Sequence, residues 1–328
     1  QPHSVCMWVD ELRVTDFRNQ TGWAANARLN TKLADFANVT ATGAYTTIGF
    51  GGLQQKIAQR ARENTALFDV SANIVADKFL PEKLGIKVPL TVQYGTLNSE
   101  PQFDPLDKDV PLEESLTRFD SDEAKREYRK EVTTRETRKS ISLLNVRKER
   151  TDPEDKVQPY DIENFSFSYS YGERLFTNIE TDRDFTKTYN GAIAYTYNTT
   201  PRNIEPFAKA ESMKSPYLRL IKDLNFTPLP NSFNFRADLD RRYNETFLQR
   251  RDSETGLITS RGIAPTFQKY FYFNRIYDLK WDITKSLGLD YTATNRAIVD
   301  EPDNRINKEI DSLAFKNKII WDNLKDFG

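Results

Sequence analysis

The amino-acid sequence predicts an all-β protein of consecutive antiparallel strands joined by a few long polar loops, and three observations carry that prediction. In Phe165-Ser166-Phe167-Ser168-Tyr169-Ser170-Tyr171 every odd position is aromatic and every even one is serine. Successive side chains of a strand point to opposite faces, so this segment has one aromatic face and one small polar face. The same alternation recurs along the chain, and repetition matters because one alternating run is weak evidence. The 328 residues are also polar on average, with a mean hydropathy of -0.68, yet 12% are aromatic. That combination suits half-apolar strands better than buried helices. A two-faced strand needs two solvents: water and a protein core in a sandwich, or a wet lumen and lipid in an outer-membrane barrel.

The first elements form a hairpin. From Gly22 to Asp35, Trp23, Ala25, Ala27, Leu29 and Leu33 share a face opposite Asn26, Arg28, Asn30 and Lys32. Val39, Ala41 and Tyr45 then oppose Asn38, Thr40, Thr42 and Thr46, after a tight turn near Asp35 to Asn38. Gly49-Phe50-Gly51-Gly52 precedes a helix-like stretch from Leu53 to Arg62 and has the look of a phosphate loop. It lacks the Lys-Ser/Thr ending and a preceding buried apolar strand, so it reads as a hinge into an external loop. Phe68, Val70, Ala72, Ile74 and Ala76 next alternate with Asp69, Ser71, Asn73 and Asp77. A further strand sets Ile86, Val88, Leu90, Val92 and Tyr94 against Lys87, Thr91 and Gln93. The link Leu80-Pro81-Glu82-Lys83-Leu84-Gly85 supplies the turn chemistry between them.

The segment from Leu106 to Lys139 carries mixed charge, with like charges spaced as helical neighbours at Glu123/Glu127 and Glu127/Glu131. It reads as a solvated, partly helical external insertion. Strands follow near Tyr189 to Asn198, Ser232 to Arg250, Pro265 to Thr284 and Leu287 to Ala297. The last sets Leu287, Leu289, Tyr291 and Ala293 against Asp290, Thr292, Thr294 and Arg296. From Asn317 to Phe327, Ile320, Leu324 and Phe327 stand at helical spacing and predict a short amphipathic helix.

About eleven strands can be drawn in this way, several longer than the roughly 9 to 11 residues that cross a bilayer. Short links fall near Asp35, Pro81 and Lys285, and long ones cover Gly49 to Asn64, Leu97 to Arg138 and Asp252 to Ala264. Outer-membrane barrels show that asymmetry, with short periplasmic turns and long extracellular loops. Thr199 to Asn231 is an exception, long but on the side of the short turns. Trp23, Tyr45, Tyr94, Tyr171 and Trp281 are expected near strand ends, as an interfacial girdle.

Several function classes are excluded. Lys+Arg 47 against Asp+Glu 48 gives a net charge of -1, so nothing global points to nucleic acid or an anionic surface. No run approaches the roughly 18 apolar residues of a membrane-spanning helix. No signal peptide is visible, and the chain reads as an internal piece of something longer. The lone Cys6 and lone His3 give no disulfide framework, no nucleophile with a fixed base and no closed zinc shell. Asp238 with Asp240, and Asp282 with Asp290, could serve glycoside chemistry in principle, but they fall on polar strand faces, where a hydrated wall explains them. Stacking platforms for sugars or single strands would interleave aromatics with Arg and Lys, not with serine. The expectation is a protein without catalytic residues, cofactor, metal or nucleic-acid partner.

The run from Val9 to Val14, followed by Gly22 to Val39, resembles the SprA/Sov family. Tyr45-Thr46-Thr47, Gly49-Phe50-Gly51-Gly52, Phe79-Leu80-Pro81-Glu82-Lys83 and Asn323-Leu324-Lys325-Asp326-Phe327-Gly328 strengthen the likeness. The resemblance implies the outer-membrane translocon of the type IX secretion system, tied to gliding motility, and hence a very large barrel in the bacterial outer membrane that exports folded cargo to the cell surface. Implied partners are membrane lipid, a PorV-like protein at a lateral opening, a plug protein and the secreted cargo. Cys6 to Val14 separately looks like the last strand of a jelly-roll module. The expected organisation is residues 1–18 as the end of a preceding or inserted β module, 19–300 as barrel strands with a charged insertion at 97–138, and 301–328 as an external loop with a short helix. Arg28, Asn30, Lys32, Thr91, Gln93, Ser166, Ser168, Asp290 and Thr292 are expected to line the lumen. Leu29, Val88, Leu90, Phe167, Tyr169, Ile193, Tyr195 and Leu289 are expected to meet lipid. The alternatives are a small-solute transporter barrel, which would carry a plug domain, and a secreted β-sandwich adhesin or glycan-binding protein, whose strands would be shorter and would show no uniform apolar band.

Overall fold

A computed structural model of the chain describes residues 21–150, 158–207, 217, 221, 223–249 and 263–298. Eleven strands form one sheet: β1 (Ala24–Leu33), β2 (Ala37–Thr46), β3 (Glu63–Val75), β4 (Ile86–Lys87), β5 (Pro89–Pro101), β6 (Thr134–Lys148), β7 (Phe165–Thr177), β8 (Thr181–Asn198), β9 (Ser232–Leu248), β10 (Thr266–Thr284) and β11 (Leu287–Ile298). Neighbours in the sheet follow chain order and every pairing is antiparallel; the two-residue β4 leaves this path to pair with β6. The all-β reading holds. The sheet is an open meander whose edge strands, β1 and β11, are not paired with each other.

Local chemistry sets the ends of these strands. Between β1 and β2, Ala34 takes a left-handed conformation with φ 46, and Phe36 N–H donates to the Leu33 carbonyl at 3.0 Å. Between β7 and β8 the Asn178 carboxamide oxygen accepts from the N–H of Thr181 at 2.7 Å and of Glu180 at 3.1 Å, the asparagine turn pattern that lets a strand reverse within three residues. That turn starts β8 at Thr181, well before the Tyr189 expected from alternation. A bulge in β6 puts Asn145 at φ 59, and its N–H donates to Ser168 Oγ at 2.8 Å.

Two turns lie at one end of the sheet, at 34–36 and 285–286, and that end is called the turn end here; the loops 47–62 and 102–133 lie at the other, the insertion end. The expected asymmetry of loop length is not kept. The long links 149–164 and 199–231 lie at the turn end, and the three-residue turn 178–180 lies at the insertion end. The described residues Thr227 and Asn231 of the link 199–231 hydrogen-bond to β10. Trp281 Nε1–H donates to the Thr227 carbonyl at 2.8 Å, and Asn231 exchanges hydrogen bonds with Asp282 at 2.8 and 2.9 Å.

The insertion is also more than a solvated segment. β5 runs on to Pro101 and β6 begins at Thr134, which narrows it to 102–133, with helices α1 (Leu112–Leu116) and α2 (Asp122–Val132). Ser121 caps α2 by accepting from Ala124 N–H at 3.1 Å. Leu112, Leu116 and Val132 form a small buried core, with Tyr128 and Ile179 packed against it. Ile179 belongs to the β7–β8 turn, so the insertion leans over that turn. The helix-like stretch Leu53 to Arg62 holds instead a single 3-10 turn at Ile57–Gln59, because Gly51-Gly52 and the Gln55 side chain bonded to Gly52 N–H at 2.8 Å fold the chain back early. The expected β module at 1–18, the closing helix from Asn317 to Phe327, His3 and Cys6 lie outside the described residues.

Candidate functional site: the two faces of the sheet

Paired residues of an antiparallel ladder share a face, so the register sorts every strand residue. Arg28, Thr42, Asp69, Gly95, Arg138, Arg174, Thr186, Asn244 and Gln268 are successive partners in one row across the sheet. The same face holds Asn30, Lys32, Thr91, Gln93, Ser166 and Ser168, and reaches Asp290 and Thr292 through their partners Lys280 and Asp278. All nine residues expected on one polar face thus share it. Cross-strand hydrogen bonds knit this face together. Thr91 Oγ1 donates to Asn73 Oδ1 at 2.9 Å, Ser142 and Ser170 hydroxyls meet at 2.9 Å, and Asn244 Nδ2 donates to Thr186 Oγ1 at 2.9 Å. Charges of both signs interleave, with Arg174 between Glu136 at 3.0 Å and Asp184 at 3.3 Å, and Arg236 on Asp238 at 2.9 Å. Asp282 and Asp290 lie on this face too, as does Asp240 beside Asp238. Leu67, Leu97, Tyr270, Tyr272 and Ile276 interrupt its polarity.

The opposite face holds Leu29, Leu90, Phe167, Tyr169, Ile193, Tyr195 and Leu289. Val88 does not join them by register, because it falls in the break between β4 and β5, where the β6 bulge interrupts pairing. Aromatic rings meet across strands here, as Phe165 with Tyr195 at 4.9 Å and Phe235 with Tyr277 at 5.0 Å. Nothing among the described residues covers this face: every strand is in the one sheet, and Leu29 is 63%, Phe167 44% and Ile193 49% exposed. The few buried apolar residues sit mostly in the insertion rather than under the sheet.

The apolar stretch crosses the strands on a diagonal. At the turn end it stops at Ala37 on β2, and the partner row from Ala37 runs through Ile74, Leu90, Leu143, Tyr169, Gly191 and Leu239 to Phe273 on β10. On β10, however, the apolar stretch continues, interrupted by the buried Arg275, to Trp281, eight residues beyond Phe273. The other edge drifts the same way: the row from Tyr45 leads through Ala66, Asn98 and Arg135 to Thr177, whereas the apolar stretch on β7 begins only at Tyr171. Tyr94 and Tyr171 therefore end the apolar stretch, not the strand, while Trp23 and Tyr45, 5.2 Å apart, do stand at a strand end. A drift of about 1.1 residues per strand, at about 3.4 Å per residue and about 4.8 Å between strands, inclines the band by about 40° to the normal of the strands.

The charged residues on this face were missed by the sequence reading. Lys139 fell inside the expected insertion and Lys187 ahead of the expected strand start, while Glu173 was open to discovery by carrying the parity of Phe165 to Tyr171 one step further.

A single antiparallel layer with one hydrated and one uncovered apolar face, and no helix among the described residues long and apolar enough to cross a membrane, defines a sheet protein built to lie between two environments. Residues 1–116 of the 328 match the SprA_N family, described as motility related/secretion protein, in agreement with the SprA/Sov resemblance of its residues. No curated protein matches the chain. The matched family is defined by motility and secretion rather than by a catalytic activity, and with the β-rich sheet it fits a membrane or cell-envelope protein.

Proposed function

We propose that the chain contributes consecutive transmembrane strands to a large outer-membrane barrel that conducts proteins, its polar face lining the lumen and its apolar face meeting lipid. The observation that carries this reading is the uncovered apolar band inclined by about 40°. Barrel closure requires strands tilted by roughly 35–45°, so a band level with the membrane must slide along successive strands by about this amount. A sandwich would bury that face against a second sheet, and no such layer is present among the described residues. The mechanism is passage rather than chemistry. A predominantly hydrated wall carrying both charge signs, as in the Glu136–Arg174–Asp184 chain, offers cargo only scattered apolar side chains to adhere to and no single-sign field to trap it. Secreted proteins, a lateral-gate protein of the PorV kind and a plug protein are the partners this reading supplies. The insertion end is assigned to the cell surface, because it carries the folded insertion.

The test is accessibility labelling in intact cells of the full-length protein, with Phe167→Cys, Ser168→Cys, Tyr169→Cys and Ser170→Cys made singly. Ser168 and Ser170 variants are expected to react only with a water-soluble maleimide, and Phe167 and Tyr169 variants only with a lipid-soluble one. If positions 167 and 169 resist both reagents, the apolar face is a protein core and the sandwich alternative replaces the barrel.

A further inference from the structure

On the apolar face, β6 to β10 continue past the band toward the insertion end, and there the side chains change character. One cross-strand row reads Ile141, Tyr171, Tyr189, Arg241 and Phe271; the next row outward reads Lys139, Glu173, Lys187, Tyr243 and Lys269. Arg135 and Arg183 stand further out on the same face. Six basic residues thus face two acids, Glu173 and Glu245. Both acids are engaged within the sheet. Glu173 takes Lys187 Nζ at 3.8 Å and the Tyr171 hydroxyl, and Glu245, 1% exposed, takes Arg183 at 3.2 Å and the Tyr243 hydroxyl at 2.8 Å. Rings lie under the cations, with Phe185 5.0 Å from Lys187 Nζ and Tyr189 5.5 Å from the Arg241 guanidinium. The other end of the same face has no counterpart: it closes on Tyr197, Phe233, Trp281 and Leu287, and β7 to β11 carry no charged residue on that face there.

We propose that this basic row binds the phosphate-bearing headgroup of an anionic lipid in the leaflet at the insertion end. The proposal rests on the membrane reading above. With acyl chains against the band, the level one step beyond Tyr171 and Tyr189 is where headgroup phosphates lie, and the excess of cations over acids is the complement of that charge. Five strands at about 4.8 Å spread the row over about 20 Å, a width suited to a headgroup bearing more than one phosphate. Lysine ammonium groups serve as point charges for phosphate, while the rings below them pack against the first methylenes of the chains.

The experiment uses the full-length protein in maltoside detergent, titrated with fluorescent bisphosphorylated lipid A. The double variant Lys139→Gln with Lys187→Gln is compared with a charge-matched control, Lys78→Gln with Lys83→Gln, at the turn end. At about fivefold per lysine near an anionic headgroup, the first variant is expected to bind about thirtyfold more weakly, and the control to bind as the unmodified protein does. Affinity in the unmodified protein is expected to fall as salt rises and as the phosphates are removed from the lipid. Equal loss in both double variants, equal binding of the dephosphorylated lipid, or full competition by inorganic phosphate at the same concentration would overturn the proposal. Cysteine labelling at 167–170 on the same preparations separates the two readings. Loss of lipid-phase labelling sinks the membrane reading, whereas retained labelling without phosphate-dependent binding sinks this proposal alone.

Discussion

At Asp77 and Ala34 single side chains decide how two turns are held. Burial alone would raise the Asp77 carboxyl, but a hydrogen bond and charge from Lys87 Nζ at 3.1 Å, together with backbone N–H groups, hold it below its ordinary value. A carboxyl whose folded-state pKa is depressed stabilises the fold fully above its unfolded value, and that contribution disappears as pH falls through the folded one. Protection of the Ala76 amide, which donates to the Val88 carbonyl at 2.9 Å beside this pair, is therefore expected to drop below about pH 4. In Asp77→Asn the protection factor should already be low and should not change over that range; equal acid sensitivity in both proteins would place the effect elsewhere. Ala34 is strained in the opposite sense. A left-handed φ of 46 suits glycine, so Ala34→Gly is expected to stabilise the hairpin by about 0.5–1 kcal/mol after the added freedom of the unfolded chain is counted. A lower unfolding midpoint in detergent for the glycine variant would show that Ala34 makes a contact worth more than its strain.

Elements differ in how plainly the sequence announces them, and the difference follows from the range of the interactions involved. Phe165 to Tyr171 is a strand by its own alternation, and β1, β2, β10 and β11 are legible for the same reason: the period of two is local and needs no knowledge of partners. The segregation of Arg28, Gln93, Ser168 and Asp290 from Leu29, Leu90, Tyr169 and Leu289 is likewise a matter of parity. The inclination of the apolar band is not, because it is a relation between registers, and Ala37 reveals its distance from Trp281 only once seven strand pairings connect them. The core of the insertion was hidden for a related reason. Leu112, Leu116 and Val132 are few among many charges, and Ile179, which completes their packing, arrives from a turn far along the chain. Leu112, 2% exposed, sits at the centre of that cluster, so Leu112→Ala is expected to cost the insertion about 2–4 kcal/mol. Such a loss should open 102–133 to trypsin at Lys125 and Arg126 in intact cells while the labelling pattern at 167–170 stays unchanged. Concerted loss of both would mean that the insertion holds the sheet, not the sheet the insertion.

For the whole molecule, the decisive fact is that the sheet is complete in neither of its two directions. Along the hydrogen-bonding direction, β1 and β11 present unpaired edges among the described residues, and each exposed ladder is a template for another strand. Across the sheet, large apolar side chains such as Leu29, Phe68, Phe167 and Ile193 lie open, far more than a monomer in water ordinarily shows in one contiguous patch. On the proposed reading each deficit is removed by a different addition: further strands would close the edges, and lipid would cover the band. Neither addition substitutes for the other, since detergent cannot pair a backbone N–H and added strands cannot shield the outside of a barrel. The 328-residue chain expressed alone is therefore expected to aggregate in buffer and to enter micelles only as mixed oligomers, as read by light scattering and by crosslinking of Arg28→Cys on β1 to Thr292→Cys on β11 of another copy. A monodisperse monomer in plain buffer with a cooperative thermal transition would show that the apolar face finds cover within the chain, and the barrel reading would give way to a soluble layered fold. A monomer that is stable only in detergent would instead show that the edges are satisfied internally, and that this length of chain closes a small barrel by itself.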